Sequence, residues 1–227
     1  MKRVDAYLSN LGYCSRKEVK KFLKLNEVCI NKNRIFNAST KANHKEITIN
    51  GEKLDDVRLL ILLHKPNGYI CSHNDSGKLI YSLLPQRWQN RNPKISTIGR
   101  LDIDTTGAIL LTDDGELNHK LSSPKNNIPK IYEVVVEKPL SSDIIDIFAS
   151  GKIVLKGEKK PLKIAKLQIL DTNLARLEIT QGKYHQVKRM FAFVNNKVLK
   201  LHRVSFGSFF VDDLKEGEYK LISIEKI

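Results

Sequence analysis

Apolar positions along this chain recur with a helical period at its start and with a mixed strand and helix pattern afterwards. Val4, Leu8 and Leu11 stand at i, i+4 and i+7, one apolar stripe on a short helix that Gly12 ends. Ser15-Arg16-Lys17-Glu18 has capping-box spacing and predicts a second helix from Ser15, with Val19, Phe22 and Leu23 on its buried face. Arg16, Lys17, Lys20, Lys21 and Lys24 then fall mostly on the other side. Strand-like pieces follow at 28–31 and 46–50, the latter turning at Asn50-Gly51. Beyond a linker at 55–58, strands are predicted at 59–64, 108–112, 131–137, 164–170 and 174–180, and helices at 78–84, 116–122, 141–149 and 184–194. Short turns such as Asp113-Asp114-Gly115 join neighbours. The expected fold is therefore α+β, a mixed, largely antiparallel sheet with flanking helices over 59–227, preceded by a small α/β module at 1–54.

Charge adds a partner to this outline. The 39 Lys and Arg exceed the 25 Asp and Glu, for a net +14, which favours a polyanion because each neutralised phosphate releases a counterion. Residues 1–54 hold 12 basic against 5 acidic side chains, so about a quarter of the chain carries half of the excess. The longest apolar run, 59–63, is too short to cross a bilayer, and no signal-peptide core follows the basic N-terminus, so a cytoplasmic protein with no membrane partner is expected. Cys14, Cys29 and Cys71 are odd in number and lack CxxC spacing, which argues against a disulfide framework or a zinc site.

The candidate chemistry lies in Gly99-Arg100-Leu101-Asp102-Ile103-Asp104-Thr105-Thr106-Gly107-Ala108. Asp, Thr and Gly are turn residues, so a purely structural turn is one reading. A calcium loop is another: Asp102, Asp104, Thr106 and Gly107 fit positions 1, 3, 5 and 6 of an EF-hand, but such a loop needs helices on both sides, and 108–112 reads as a strand. Two carboxylates only two residues apart make a poor glycosidase pair. His185 and His202 have no Ser or Cys partner in a nucleophile motif and read as structural or RNA-contacting.

The segment Gly-Arg-Leu-Asp-x-Asp-Thr-Thr-Gly resembles the signature of the pseudouridine synthases in its RsuA-type version, with Ala108 where that family usually has Leu. Lys130-Ile131-Tyr132 resembles its Lys-x-Tyr motif, Gly182 to Met190 its third motif, and His202-Arg203-Val204 with Gly207 the segment that follows. Residues 1–50 resemble the S4 RNA-binding module. This likeness implies Asp102 as the catalytic carboxylate, Tyr132 packing on the target base and Lys188 paired with Asp102. Helical geometry agrees on Lys188: at about 100° per residue it lies about 110° from the centre of the Val187, Met190, Phe191 and Val194 face, against about 150° for Arg189, which should point to solvent or phosphate.

The implied reaction turns a uridine of ribosomal RNA into pseudouridine. Nothing is added or lost, so no cofactor is expected, and no Walker or dinucleotide motif is present. Whether the carboxylate attacks the sugar carbon or removes a sugar proton is left open. RNA contacts are expected from Arg16, Lys17, Lys20 and Lys21 in the first module and from Arg100, Lys130, Lys183, His185, Gln186 and Arg189 near the site. The stretches 121–125 and 184–190 look closer to the enzymes of the small subunit, which points to 16S rRNA, naked or within a partly assembled small subunit; a monomer is expected. A large-subunit 23S rRNA enzyme and a non-catalytic ribosome-assembly factor are the alternatives.

Overall fold

The first apolar stripe folds into α1 (Val4–Asn10), which buries Val4, Tyr7 and Leu8. Gly12 leaves it at φ +81°, and a Cβ there would stand 2.2 Å from the Arg87 carbonyl, so only glycine lets this turn seat against the rest of the protein. The second helix, α2 (Val19–Leu25), starts four residues later than expected. Glu18 accepts hydrogen bonds from both the Ser15 N–H (3.0 Å) and the Ser15 hydroxyl (2.6 Å), so that hydroxyl is used as a donor and does not cap the helix. Four short antiparallel strands follow: β1 (Val28–Ile30), β2 (Asn33–Arg34), β3 (Ile47–Ile49) and β4 (Glu52–Lys53), ordered β2-β1-β3-β4. Asn50 and Gly51 both take positive φ between β3 and β4, the backbone a tight hairpin demands. Val4, Leu8, Val19, Leu23, Val28 and Ile47 belong to one hydrophobic cluster that ends with Leu54.

Residues 55–58 carry no regular element, yet they are fastened down. The Asp55 carboxylate takes Arg87 at 2.5 and 3.1 Å and the Trp88 indole N–H at 2.7 Å, and its backbone N–H donates to the Tyr13 hydroxyl at 3.1 Å. Arg91, fully buried, donates to the carbonyls of Asp56 and Val57 and to the Asp113 carboxylate at 2.7 Å.

The larger sheet comprises β5 (Leu60–Lys65), β6 (Ser96–Ile98), β7 (Thr105–Thr112), β8 (Lys130–Val136), β9 (Lys166–Asp171), β10 (Leu174–Ile179), β11 (Val198–Phe206), β12 (Phe209–Phe210) and β13 (Tyr219–Leu221). In the computed structural model, which describes residues 1–224, the main path runs β9-β10-β8-β11-β7-β5-β13, with β6 on β7 and β12 on β11. Every pairing in it is antiparallel except β7 with β11. Both faces of β5 are covered. Ile61 and Leu63 join Ile109, Val134 and Phe191 on one side, while Leu60 and Leu62 join Leu110, Leu117 and Phe206 on the other. That double burial is why β5 reads as an unbroken apolar run.

Helices α3 (Gln86–Gln89), α4 (Gly115–Ser122), α5 (Asp143–Ala149) and α6 (Gln186–Phe193) flank the sheet. The helix expected at 78–84 does not form. Lys78–Leu79 pairs with Tyr69–Ile70, and Ile80–Leu83 makes a 3₁₀ turn that Pro85 stops by holding Leu84 extended at ψ 156°. Nor did the pattern predict β11, which occupies the centre of the sheet.

Candidate active site

Asp102 lies in the loop between β6 and β7, and three features fix that loop. Its backbone carbonyl accepts the Thr105 N–H at 3.1 Å, closing a tight turn. Lys65, at the end of β5 and 0% exposed, donates to the carbonyls of Pro66, Ile103 and Thr105 at 3.2, 3.1 and 2.8 Å. Burial lowers its pKa below the usual lysine value, against the pull of Cys71, Asp104 and Asp102. Gly107 is the third: at φ +107° a Cβ would come within 2.2 Å of the Arg203 backbone, so β7 and β11 can approach only through glycine.

Helix α6 brings the basic groups. Lys188 Nζ stands 3.2 Å from Asp102 and 2.6 Å from Asp104. Burial works against the Lys188 charge, but the two carboxylates outweigh it and hold the ammonium above its ordinary value. Burial likewise pushes Asp104 up, and the hydrogen bond and charge of Lys188 more than reverse that. His185 begins the helix in the left-handed region, φ 48°, with Nε2 3.4 Å from Asp102 and Tyr184 stacked on its ring at 3.8 Å. Arg189 does not face open solvent. It donates to the carbonyls of Tyr184 and Lys156 and lies 3.5 Å from Glu158.

Asp102, Lys188, His185, Tyr132, Lys130 and Arg203 line one cavity. Tyr132, only 8% exposed, shares the core of the sheet with Val134 and Val136, so it is at once a core residue and a cavity wall. Arg100 is exposed at the rim. Lys183 lines the cavity too, tied to Glu158 at 2.6 Å. Gln186 departs from an open RNA-contact role: it is buried, its oxygen accepting the Lys183 N–H at 3.0 Å and its amide facing the Met190 sulfur. Arg16, Lys17, Lys20 and Lys21 are exposed on the first module, where Arg16 and Lys20 border a groove with Phe36. The calcium reading fails on geometry, since β7 follows the loop directly and a lysine already bridges its two aspartates.

Two site residues are given no role by the sequence. Lys65 lies just past the strand predicted at 59–64, and Arg203 enters only within His202-Arg203-Val204, the stretch that resembles a family motif.

This geometry has close relatives. A family model described as RNA pseudouridylate synthase matches residues 59–193. The chain is 41% identical over 230 residues to "Ribosomal small subunit pseudouridine synthase A" of Pasteurella multocida, covering 99% of this chain and 97% of that one. It is 36% identical to the protein of the same name from Escherichia coli K12, covering 99% and 98%. A solved structure titled "Crystal structure of pseudouridylate synthase" superposes with a TM-score of 0.69 at 36% identity, over 100% of this chain and 98% of the other.

Proposed function

Because this chain belongs to the RNA pseudouridylate synthase family, we propose that it isomerises a uridine of 16S rRNA, in the small ribosomal subunit, to pseudouridine, with Asp102 as its catalytic carboxylate. The observation that carries the assignment is Asp102 itself, 28% exposed at its side chain and held between Lys188 and His185 at the edge of a cavity walled by Tyr132. The target uridine must leave its stack to reach that carboxylate, at a cost of a few kcal/mol. Packing on an aromatic ring returns roughly 1–3 kcal/mol, which is the task of Tyr132. Lys188 balances the charge of Asp102 and fixes its direction. By either route open to the carboxylate, attack at C1′ or removal of a sugar proton, the C1′–N1 bond breaks and a C1′–C5 bond forms. Carbodiimide mapping of pseudouridine in rRNA from cells with and without this protein tests both activity and address. An unchanged map refutes the proposal.

Tyr132→Phe is expected to keep most of the single-turnover rate. The hydroxyl meets its neighbour Arg203 only at 3.5 Å, a marginal contact, while the ring face is retained. Complete loss in that variant would give the hydroxyl a chemical role.

Residues 1–54 are assigned to an S4-like RNA-binding domain, 55–58 to its linker and 59–227 to the catalytic domain. Support comes from the separate hydrophobic cluster ending at Leu54 and from the exposed basic face of α2. Replacing Arg16, Lys17, Lys20 and Lys21 together by Gln should weaken RNA binding and flatten its dependence on salt, by about 0.7–0.9 in logarithmic slope for each phosphate that is no longer neutralised. An unchanged slope would free this face of that role. The protein is taken to act on this RNA as a monomer. Work on ribosomal RNA implies a cytoplasmic protein, and no helix of the described residues is long and apolar enough to cross a membrane.

A further inference from the structure

The cavity holds more positive charge than this mechanism uses. Arg203 is 2% exposed. It donates from Nε to the Ala108 carbonyl at 2.6 Å and from Nη1 to the Tyr132 hydroxyl at 3.5 Å, while its Nη2 is buried without a hydrogen-bond partner among the described residues. Lys130 donates to the Ile128 carbonyl at 2.8 Å. Both cations stand over the Phe206 ring, Lys130 Nζ at 5.2 Å and the Arg203 guanidinium carbon at 5.4 Å from its centre. Burial, then the neighbouring charges of Arg203 and Lys163, brings Lys130 down to about 8. A buried guanidinium normally has a carboxylate, because an uncompensated charge is costly to bury. Here no carboxylate among the described residues pairs with Arg203, which leaves Nη2 available to an anion that enters the cavity.

The reaction makes one. When C1′–N1 breaks, its electron pair leaves with uracil and spreads over N1, O2 and O4. Tyr132, on which the base is to pack, stands directly opposite Arg203 in the β8–β11 pairing, where a bulge beside Tyr132 shifts the register. We propose that Arg203, assisted by Lys130, is the catalytic electrophile that takes up the negative charge of the departing uracil by donating a hydrogen bond to a base carbonyl. The bond strengthens as charge builds on that oxygen, which is what lowers a barrier. Arg203 neither gains nor loses a proton. The electron pair returns when C5 bonds to C1′, and the proton that C5 then gives up is matched by one gained at N1. A backbone phosphate is the other anion RNA offers, but a guanidinium 2% exposed suits a flat base edge better than a bulky hydrated group.

This inference rests on the placement of the base between Asp102 and Tyr132, and its test separates the two. Small-subunit rRNA transcripts carrying either uridine or 5-fluorouridine are reacted in single turnover, and loss of the N1-linked nucleoside is measured after nuclease digestion. C5 of 5-fluorouridine has no proton to give up, so C1′–N1 cleavage is the step common to both. Fluorine stabilises the uracil anion, so an enzyme lacking Arg203 should be partly rescued by it. Arg203→Gln is expected to lose about 100-fold or more on uridine, the scale of removing one oxyanion donor, with RNA affinity nearly unchanged. The loss should shrink severalfold on 5-fluorouridine. Lys130→Gln should follow in the same direction with a smaller effect. The ratio of the two rates is taken on one enzyme preparation, so incomplete folding of a variant does not alter it. Equal losses on both RNAs, or a loss confined to affinity, overturn the proposal. Asp102→Asn run in parallel must be inactive on both; turnover there would strike the assignment of the site and not the role of Arg203.

Discussion

Replacing Asp102 by Asn is expected to abolish isomerisation while leaving RNA binding nearly intact. The amide matches the carboxylate in size but can neither attack C1′ nor accept a sugar proton, and loss of a reacting group of this kind costs about 10⁴-fold or more. The scaffold has little reason to move. Lys188 keeps its 2.6 Å pairing with Asp104, Lys65 still clamps the loop carbonyls, and the Asp102 backbone still receives the Thr105 N–H. Single-turnover formation of pseudouridine in small-subunit rRNA, beside equilibrium binding of the same RNA, reads both halves of the expectation. Measurable turnover in the Asn variant would remove the carboxylate from the mechanism.

The largest effect on stability is expected at Arg91. Its side chain is fully buried, with Nε 2.7 Å from Asp113 and Nη2 on two backbone carbonyls of the segment that joins the first module to the large sheet. Arg91→Met leaves Asp113 buried with its charge unanswered, for which the penalty is about 3–5 kcal/mol. Among the described residues, Asp113 would retain only the Leu59 N–H at 2.8 Å. Adding Asp113→Leu should recover part of that loss, because two apolar groups replace a broken pair. Urea denaturation of the wild type and the three variants measures the cycle. If Arg91→Met alone unfolds at the wild-type midpoint, the ion pair contributes nothing to the fold.

Periodicity revealed most of what it can reveal. The first helix, the Asn-Gly hairpin and most of the long strands are where the apolar pattern puts them, because each has one or two faces against a core. The same rule hides β11. Val198–Phe206 contains Lys200, His202 and Arg203, which interrupt the apolar pattern, yet Arg203 and Ser205 are buried at the sheet centre. Its backbone is wanted there by β7 and β8 on either side, and tertiary pairing overrides composition. Lys65 is illegible for a related reason: it serves three carbonyls that come together only in the folded loop. Angular reasoning on α6 fares better with its basic residues. The Lys188 ammonium sits between the two aspartates, whereas Arg189, expected to reach outward, is taken up by the loop at 156–158. No periodicity encodes the left-handed backbone at His185, which sets its imidazole beside Asp102.

The one parallel pairing among the described strands of the large sheet joins positions far apart along the chain. Thr106 and His202 touch at 2.8 Å although 96 positions separate them, and contacts so distant along a polypeptide are slow to form. Residues 4–54 close their core from near neighbours instead. During synthesis the cation-rich end can therefore mature while the catalytic loop still lacks the strand beside it. A nascent chain halted before Val198 would carry Asp102 without the strand that pairs with the start of β7.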